Sequence, residues 1–365
     1  MDRREFLKTT GLAATAAATT TTSAAASSTR TPVAAPAILP NTRELHMAMA
    51  WPDAVSGQAD SAYRLASRIE EATDRRYRIR ITAENTNSAS SLASGDADLY
   101  HASEHDNANL DVAFAYFAGL PFSAGLAPAD LPSWLAIGGG QELWDELAAE
   151  HGFKPLLAGH TGRAPRLWSN RPIETLGDFK GLRISAYGPT VDVMHAIGAE
   201  TVAMPSYRLA SALRNRDIDA VEFGGALQAM AAGVAPAGRI ALETDSNGAG
   251  TAITLGVSTR LWDSMSQSDR TIFTACAGEA YRLAVSENDA HEQIIVKALC
   301  DLHGVTLSTL TDDVRGALRP LTQAVIATLA STTPRAQRIN ASYMAFRRSI
   351  GPSNMATPST DMPLV

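Results

Sequence analysis

The sequence predicts an α/β protein built as two lobes. Three observations lead there. Between Lys180 and Gly225, three short apolar runs, Leu182–Ile184, Thr201–Met204 and Ala220–Phe223, alternate with two segments of helical spacing. A second alternation of the same kind runs from Glu44 to His101. The chain has 365 residues, more than one core usually fills. Strand–helix–strand order implies parallel pairing with right-handed crossovers. Ligands of such sheets bind beyond the carboxyl ends of the strands. In the Lys180–Gly225 block those ends are Ser185–Tyr187, Pro205–Tyr207 and Glu222–Gly225.

In chain order, Glu44–Met49 reads as the first strand and ends at Ala50-Trp51-Pro52. Leu65, Ile69 and Ala72 share a face of a helix over roughly 61–73. Tyr77–Ile81 alternates as a second strand, and Ala97–His101 is a third after the turn Ser94-Gly95-Asp96. Gly138-Gly139-Gly140 opens the helix QELWDELAAE. No Lys-Ser/Thr follows those glycines, so they read as a helix entry and not as a phosphate cradle. Pro155–Ala158 and Arg166–Trp168 are strands leading into the second lobe. There Pro189 starts a helix, Gly198 closes it, and Ser206 caps the next. Arg239–Leu242 and Ala252–Val257 are strands, the second rejoining the first lobe. Helical sequence then runs from Trp262 through Ala284, again over Gln293–Leu302, and over Leu318–Leu329 and Arg338–Arg348.

Composition narrows the function. A net charge of −7 and the absence of a basic stripe exclude nucleic acid as the partner. No apolar run beyond the N-terminus is long enough to span a bilayer. Cys276 and Cys300 both lie in apolar helical sequence, as two buried thiols or as a disulfide. Arg3-Arg4-Glu5-Phe6-Leu7-Lys8, a mild Ala/Thr stretch over 11–26 and small residues up to Ala35-Pro36-Ala37 follow one another as in a twin-arginine signal. That order predicts a cleaved segment over 1–37 and export of a folded protein to the periplasm. The Pro/Ser/Thr-rich end over 352–365 is expected to be disordered.

Several residues could carry chemistry. His101-Ala102-Ser103-Glu104-His105 matches H-x-x-E-H, which on a helix binds zinc through two histidines with Glu as base. Here the motif follows a strand and runs into Asp106-Asn107-Ala108-Asn109, so a loop is expected. Glu104 is then a solvated loop charge and His105 a structural residue. Trp51, just past the first strand, either floors a cleft or fills the core, and Tyr100, Tyr187 and Tyr207 are candidates of the same kind. Glu222 and Phe223 end a strand, and Glu222 either contacts a metal or the ligand or bonds the hinge.

The series KGLRI, AIGAETVAMP and SALRNRDIDAVEF, with GLPF and GGGQELWDEL before it and SYMAFR near the end, resembles the periplasmic solute-binding proteins of TRAP transporters. The likeness covers roughly 41–351 and points to the subgroup that takes 2-oxo acids and other small carboxylates. It implies a two-lobed periplasmic solute-binding fold with a ligand cleft between the lobes and C-terminal helices packed across them. The expected division is 42–160 with a return at about 250–275, then 161–249, then helices over 276–350. It also implies a receptor without cofactor or catalysis, a small organic acid as ligand, membrane subunits as partners and a possible homodimer. The departures concern the anchors. Ser185 stands where the family has its carboxylate-clamping Arg, and Arg183 takes the place of a solvent-side Lys. Gly162-Arg163-Ala164-Pro165-Arg166 before Leu167-Trp168 lacks the family's metal-ligating Gln, and Asp245-Ser246-Asn247-Gly248 lacks the Glu expected there as an acidic metal ligand. No metal is therefore expected. The ligand-binding set is Trp51, His101, Arg163, Arg166, Trp168, Ser185, Tyr187, Glu222 and Phe223. A zinc hydrolase on His101, Glu104 and His105, or a ligand sensor with a signalling partner, are the rival readings.

Overall fold

Strand β1 (Arg43–Met49) alternates exposed Glu44 and His46 with buried Leu45 and Met47, and its end is buried on both faces, Ala48 in one core layer and Met49 in the other. The structure, a computed structural model, describes residues 42–52, 57–83, 88–162, 166–244 and 250–351. Expectations about the signal over 1–37, the tail over 352–365, Arg163 and Asp245–Gly248 fall outside those residues.

The first sheet has five strands in the order β2 (Tyr77–Ala83), β1, β3 (Leu99–Ala102), β10 (Ala252–Ser258), β4 (Phe153–His160). β1, β2 and β3 are parallel, while β10 inserts antiparallel between β3 and β4. The chain thus returns to its first sheet through a strand far along the sequence, as its apolar run predicts. Two apolar layers sandwich this sheet. On one face the helix Gln58–Ala72 supplies Ala59, Ala62, Leu65 and Ile69 against Met47, Met49 and Leu255. On the other, Tyr100, Phe114, Phe117, Trp134 and Trp144 pack with Ile339 and Tyr343 of the helix Pro334–Ser349.

The second sheet has six strands in the order β11 (Thr306–Thr309), β9 (Ile240–Glu243), β5 (Arg166–Ser169), β8 (Ala220–Phe223), β6 (Arg183–Ser185), β7 (Glu200–Thr201). β6, β7 and β8 are parallel, and β5 runs antiparallel to its neighbours. Pro189 and Gly198 bound the helix Thr190–Ile197, Gly198 with φ +97. Ser206 is the first residue of the next helix and Pro205 its cap, one position from expectation. Strand β11 was not legible in the sequence. Its residues are mostly exposed, so no buried face imposes alternation on them.

Two helices tie the lobes together. The helix Gln267–His303 runs unbroken for 37 residues, where the sequence read as two pieces. It buries Phe273, Cys276 and Ala277 in the first lobe and Val296 and Leu299 in the second. The helix Asp312–Ala330 places Val314 and Leu318 in the second lobe and Ile326 and Leu329 in the first, with Pro320 between. Pro320 removes one helical hydrogen bond there. Both cysteines are free thiols, Cys276 buried and Cys300 half-buried. None of the described helices is long and apolar enough to cross a membrane.

Candidate ligand site between the lobes

The strand ends of both sheets meet at the gap between the lobes. Gly188, just past β6, packs directly on His105 of the first lobe: a Cβ there would stand 2.3 Å from the imidazole Nδ1. Gly57 of the first lobe likewise faces Gln228 of the second, a Cβ falling 3.4 Å from its Nε2. The structure therefore holds the lobes in contact on two sides of the gap.

In the first lobe, β3 carries His101 to its carboxyl end, on the same face as Leu99. The ring is fully buried. Trp51 Nε1 donates to His101 Nδ1 at 3.0 Å, so the ring hydrogen sits on Nε2. That Nε2 has no partner. Burial drives the His101 pKa down to about 3, which keeps the ring neutral. Trp51 itself is half-buried and packs on the first-lobe core, so its indole braces the histidine while its ring caps apolar side chains.

The H-x-x-E-H pair is not on an α-helix. His101 ends a strand, and Glu104 and His105 lie in a short 3-10 turn capped by Ser103. Glu104 is not a solvated loop charge as expected; it is fully buried. Tyr100 donates its hydroxyl to Glu104 Oε1 at 2.9 Å, and Asn107 Nδ2 donates to Oε2 at 2.7 Å. Burial pushes its pKa up to about 7, opposed by the Asn107 and Tyr100 bonds. The carboxyl thus locks the turn to its own strand and is not turned toward two histidines. No group of three His, Cys, Asp or Glu among the described residues could hold a metal.

A carboxyl whose folded pKa lies above its unfolded value stabilises the fold below the unfolded value and loses that contribution as pH rises through the folded one. For Glu104 the window runs from about 4.5 to about 7. Glu104→Gln should flatten the stability profile across that window by more than about 1 kcal/mol relative to wild type, read by denaturant titration at several pH values. An unchanged profile would mean that Glu104 is ionised in the fold.

In the second lobe, Glu222 and Phe223 end β8, and the register sets Phe223 beside Arg166 at the start of β5. Glu222 is half-buried; it accepts from the Tyr187 backbone N–H at 3.2 Å and the Thr190 hydroxyl at 3.1 Å. Burial raises its pKa to about 7, opposed by those two bonds. Glu222 therefore clamps the turn that carries Tyr187 and Gly188. Tyr187 is exposed, whereas Ser185 is 2% exposed and sits behind the strand end. Trp168 is fully buried, and its indole N–H donates to the Phe223 carbonyl at 3.3 Å. It supports the site from the core and does not face the gap. Tyr100 is likewise buried and Tyr207 exposed. Arg183 is occupied by Asp219, at 2.9 Å through Nη2. The residues missed in the sequence are amides. Asn288, within the long helix, donates to the Ala284 carbonyl at 2.8 Å and the His160 carbonyl at 3.4 Å and accepts from Gln228 Nε2 at 2.8 Å. A lone amide inside ALQAMA was the available signal for Gln228.

Two α/β lobes, joined by spanning helices and meeting around a polar gap, define a two-lobed ligand receptor. Residues 47–333 match the family model of bacterial extracellular solute-binding protein, family 7 (DctP), and the chain belongs to that family. It is 25% identical over 357 residues to a monocarboxylate 2-oxoacid-binding periplasmic protein of Nostoc sp. strain PCC 7120, covering 96% of this chain and 95% of that one. A TRAP periplasmic solute-binding protein of Pseudoalteromonas atlantica T6c, solved with sodium and pyruvate, superposes with a TM-score of 0.78 at 23% identity, covering 84% of this chain and 94% of that one. One from Bordetella bronchiseptica RB50, a mixed-occupancy dimer with calcium and picolinate, gives 0.81 at 20% identity, covering 86% and 95%.

Both of those structures hold a cation. A hard cation such as calcium takes six to eight oxygen ligands. At the second-lobe strand ends, Glu222 lies at the end of β8 with both oxygens engaged, and Glu243 closes β9.

Proposed function

We propose that the protein is the extracytoplasmic receptor of a TRAP-type transporter, binding a small carboxylate between its lobes and delivering it to membrane subunits. The observation that carries this reading is the pair of interlobe contacts, His105 on Gly188 and Gln228 on Gly57, around the gap where the strand ends of the two sheets face each other. Such a gap closes when a ligand bonds both lobes at once, which it does only in the closed state. The Nostoc relative and the pyruvate-bound structure support a carboxylate.

A carboxylate stripped of water needs a charge-assisted partner. Ser185 offers none. Arg166 pairs in register with Phe223, the last residue of β8, which supports it as the partner, and Arg163 precedes it in the chain. Arg166 is the favoured anchor, with Arg163 second. A thermal-shift screen of carboxylates, sugars and amino acids identifies the solute, and calorimetry then tests the anchor. Arg166→Ala should weaken an acidic ligand by about 1.5–3 kcal/mol, and Ser185→Ala by about 1 kcal/mol. Unchanged affinity in the Arg163→Ala/Arg166→Ala double variant would favour a neutral solute.

Export follows from the leader. Changing Arg3 and Arg4 together to Lys should hold the precursor in the cytoplasm, read by fractionation. Normal periplasmic accumulation would remove the twin-arginine route.

A further inference from the structure

The helix Gln58–Ala72 and the first half of the helix Gln267–His303 run side by side and leave a groove of about 250 Å³ between them. Arg64 pairs with Glu287 at 2.7 Å and Arg68 with Glu279 at 3.1 Å, so the two helices are antiparallel. Ser61 and Leu65, one turn apart, line one wall; Cys276, Ala280 and Leu283 line the other. Three of those five side chains are short, and short side chains on facing ridges leave the space unfilled. The groove shares no residue with the interlobe site.

What the groove would hold follows from its walls. Its charges are already matched. Arg64 forks onto both oxygens of Glu287, at 2.9 and 2.7 Å, and Arg68 lies between Glu279 and Glu71, 3.6 Å from the latter. Glu71, the extra carboxylate, has 67% of its side chain in water. Neither an anion nor a cation is therefore drawn inside. Burial and the neighbouring Glu279 push the Cys276 thiol up, so it is a neutral S–H. Leu65, Ala280 and Leu283 offer apolar contact only. One polar atom is left over: Ser61 Oγ, on a residue 2% exposed, has no partner. A buried hydroxyl without a partner is costly. Ser61 can donate or accept, and a second hydroxyl answers it in either role with a single atom.

We propose that this groove is a second binding site, taking a small neutral molecule with an apolar body and one hydroxyl that bonds Ser61. The size fits: a cavity of roughly 150 Å³ lined by aliphatic side chains takes a benzene-sized molecule, and this groove is larger. The first helix starts after Gly57, which meets Gln228 of the second lobe, and the other wall's helix carries Asn288, which bonds the same Gln228. An occupant thus sits between two helices that both reach one second-lobe residue.

Methyl NMR on the full mature chain, titrated with phenol and with toluene, its analogue lacking the hydroxyl, tests it. Phenol should shift the Leu65 and Leu283 methyls saturably, and toluene should bind there at least fivefold more weakly, the worth of one hydrogen bond. Ser61→Ala should bring the two within twofold by weakening phenol alone. Ala280→Phe, which fills the groove, should weaken both at least tenfold. Should that variant not fold, a second measurement stands in for it. With Cys300→Ser leaving Cys276 as the sole thiol, phenol should slow its alkylation at least threefold in the otherwise unaltered groove. The absence of a saturable shift at either leucine, or an alkylation rate that phenol leaves unchanged, would overturn the site. Equal binding of phenol and toluene by wild type, or a preference for phenol that survives Ser61→Ala, would overturn the hydroxyl that defines its ligand.

Discussion

Gly188→Val is expected to weaken solute binding at least hundredfold while the ligand-free protein still folds. Two physical terms act at this position. Gly188 has φ +49, in the left-handed region where a β-branched residue is disfavoured. Its missing side chain also makes room for His105, whose Nδ1 would lie 2.3 Å from a Cβ. Neither partner can retreat easily within its own lobe. His105 sits in the turn held by the Glu104, Tyr100 and Asn107 bonds, and Gly188 follows a turn clamped by Glu222. The lobes themselves can separate, so the clash is relieved by opening. A hundredfold loss corresponds to about 2.8 kcal/mol against the closed state. Removing the imidazole in the same background, as Gly188→Val/His105→Ala, should recover at least tenfold. Wild-type affinity in the single variant would mean that the ligand is not held with these two residues in contact.

Trp134→Ala is expected to cost about 3–5 kcal/mol of stability, the range for deleting a fully buried aromatic ring. Trp134 stacks on Phe117 with ring centres 5.3 Å apart and meets Tyr343 edge-on at 4.9 Å. Its indole N–H donates to Ser342 Oγ at 3.1 Å, so one side chain fastens the C-terminal helix to the first lobe. The backbone has shaped itself to the ring: a Cβ at either Gly138 or Gly140 would fall 2.7 Å from it. That contact, and not phosphate, explains two of the three successive glycines. Denaturant unfolding gives the difference directly, and a loss below about 1 kcal/mol would show that the first-lobe core refills the space.

Neutral His101 acts in the opposite sense to Glu104 as pH changes. Its folded pKa of about 3 lies below the ordinary value of 6.5, so the stability it contributes at neutral pH is lost as pH falls through that interval. Carboxyls with raised values, Glu104 and Glu222, gain over part of the same range. The Glu104→Gln comparison separates the two contributions because it removes only one of them.

What the sequence by itself determined was the set of buried faces. Alternation in Arg43–Met49 and Tyr77–Ile79, and helical spacing in Ser206–Asn215, follow from one-sided burial, which writes a period into the chain. Pro189 and Gly198 were legible because their backbone preferences are local. The motif series from Lys180 to Phe223 was enough to place the chain in its family before any coordinates. What only the tertiary structure decided was which polar groups are left without partners and which residues meet across the gap. His101 and Trp51 are 50 residues apart and Gln228 and Asn288 are 60, and no local pattern records such a meeting. Glu104 reads as a surface charge in a polar loop until β3 folds Tyr100 beneath it. Gln228 looks like an ordinary helix residue, and its meeting with Asn288 and with Gly57 of the first lobe is decided by the assembled fold. Burial without a partner is a property of the assembled fold.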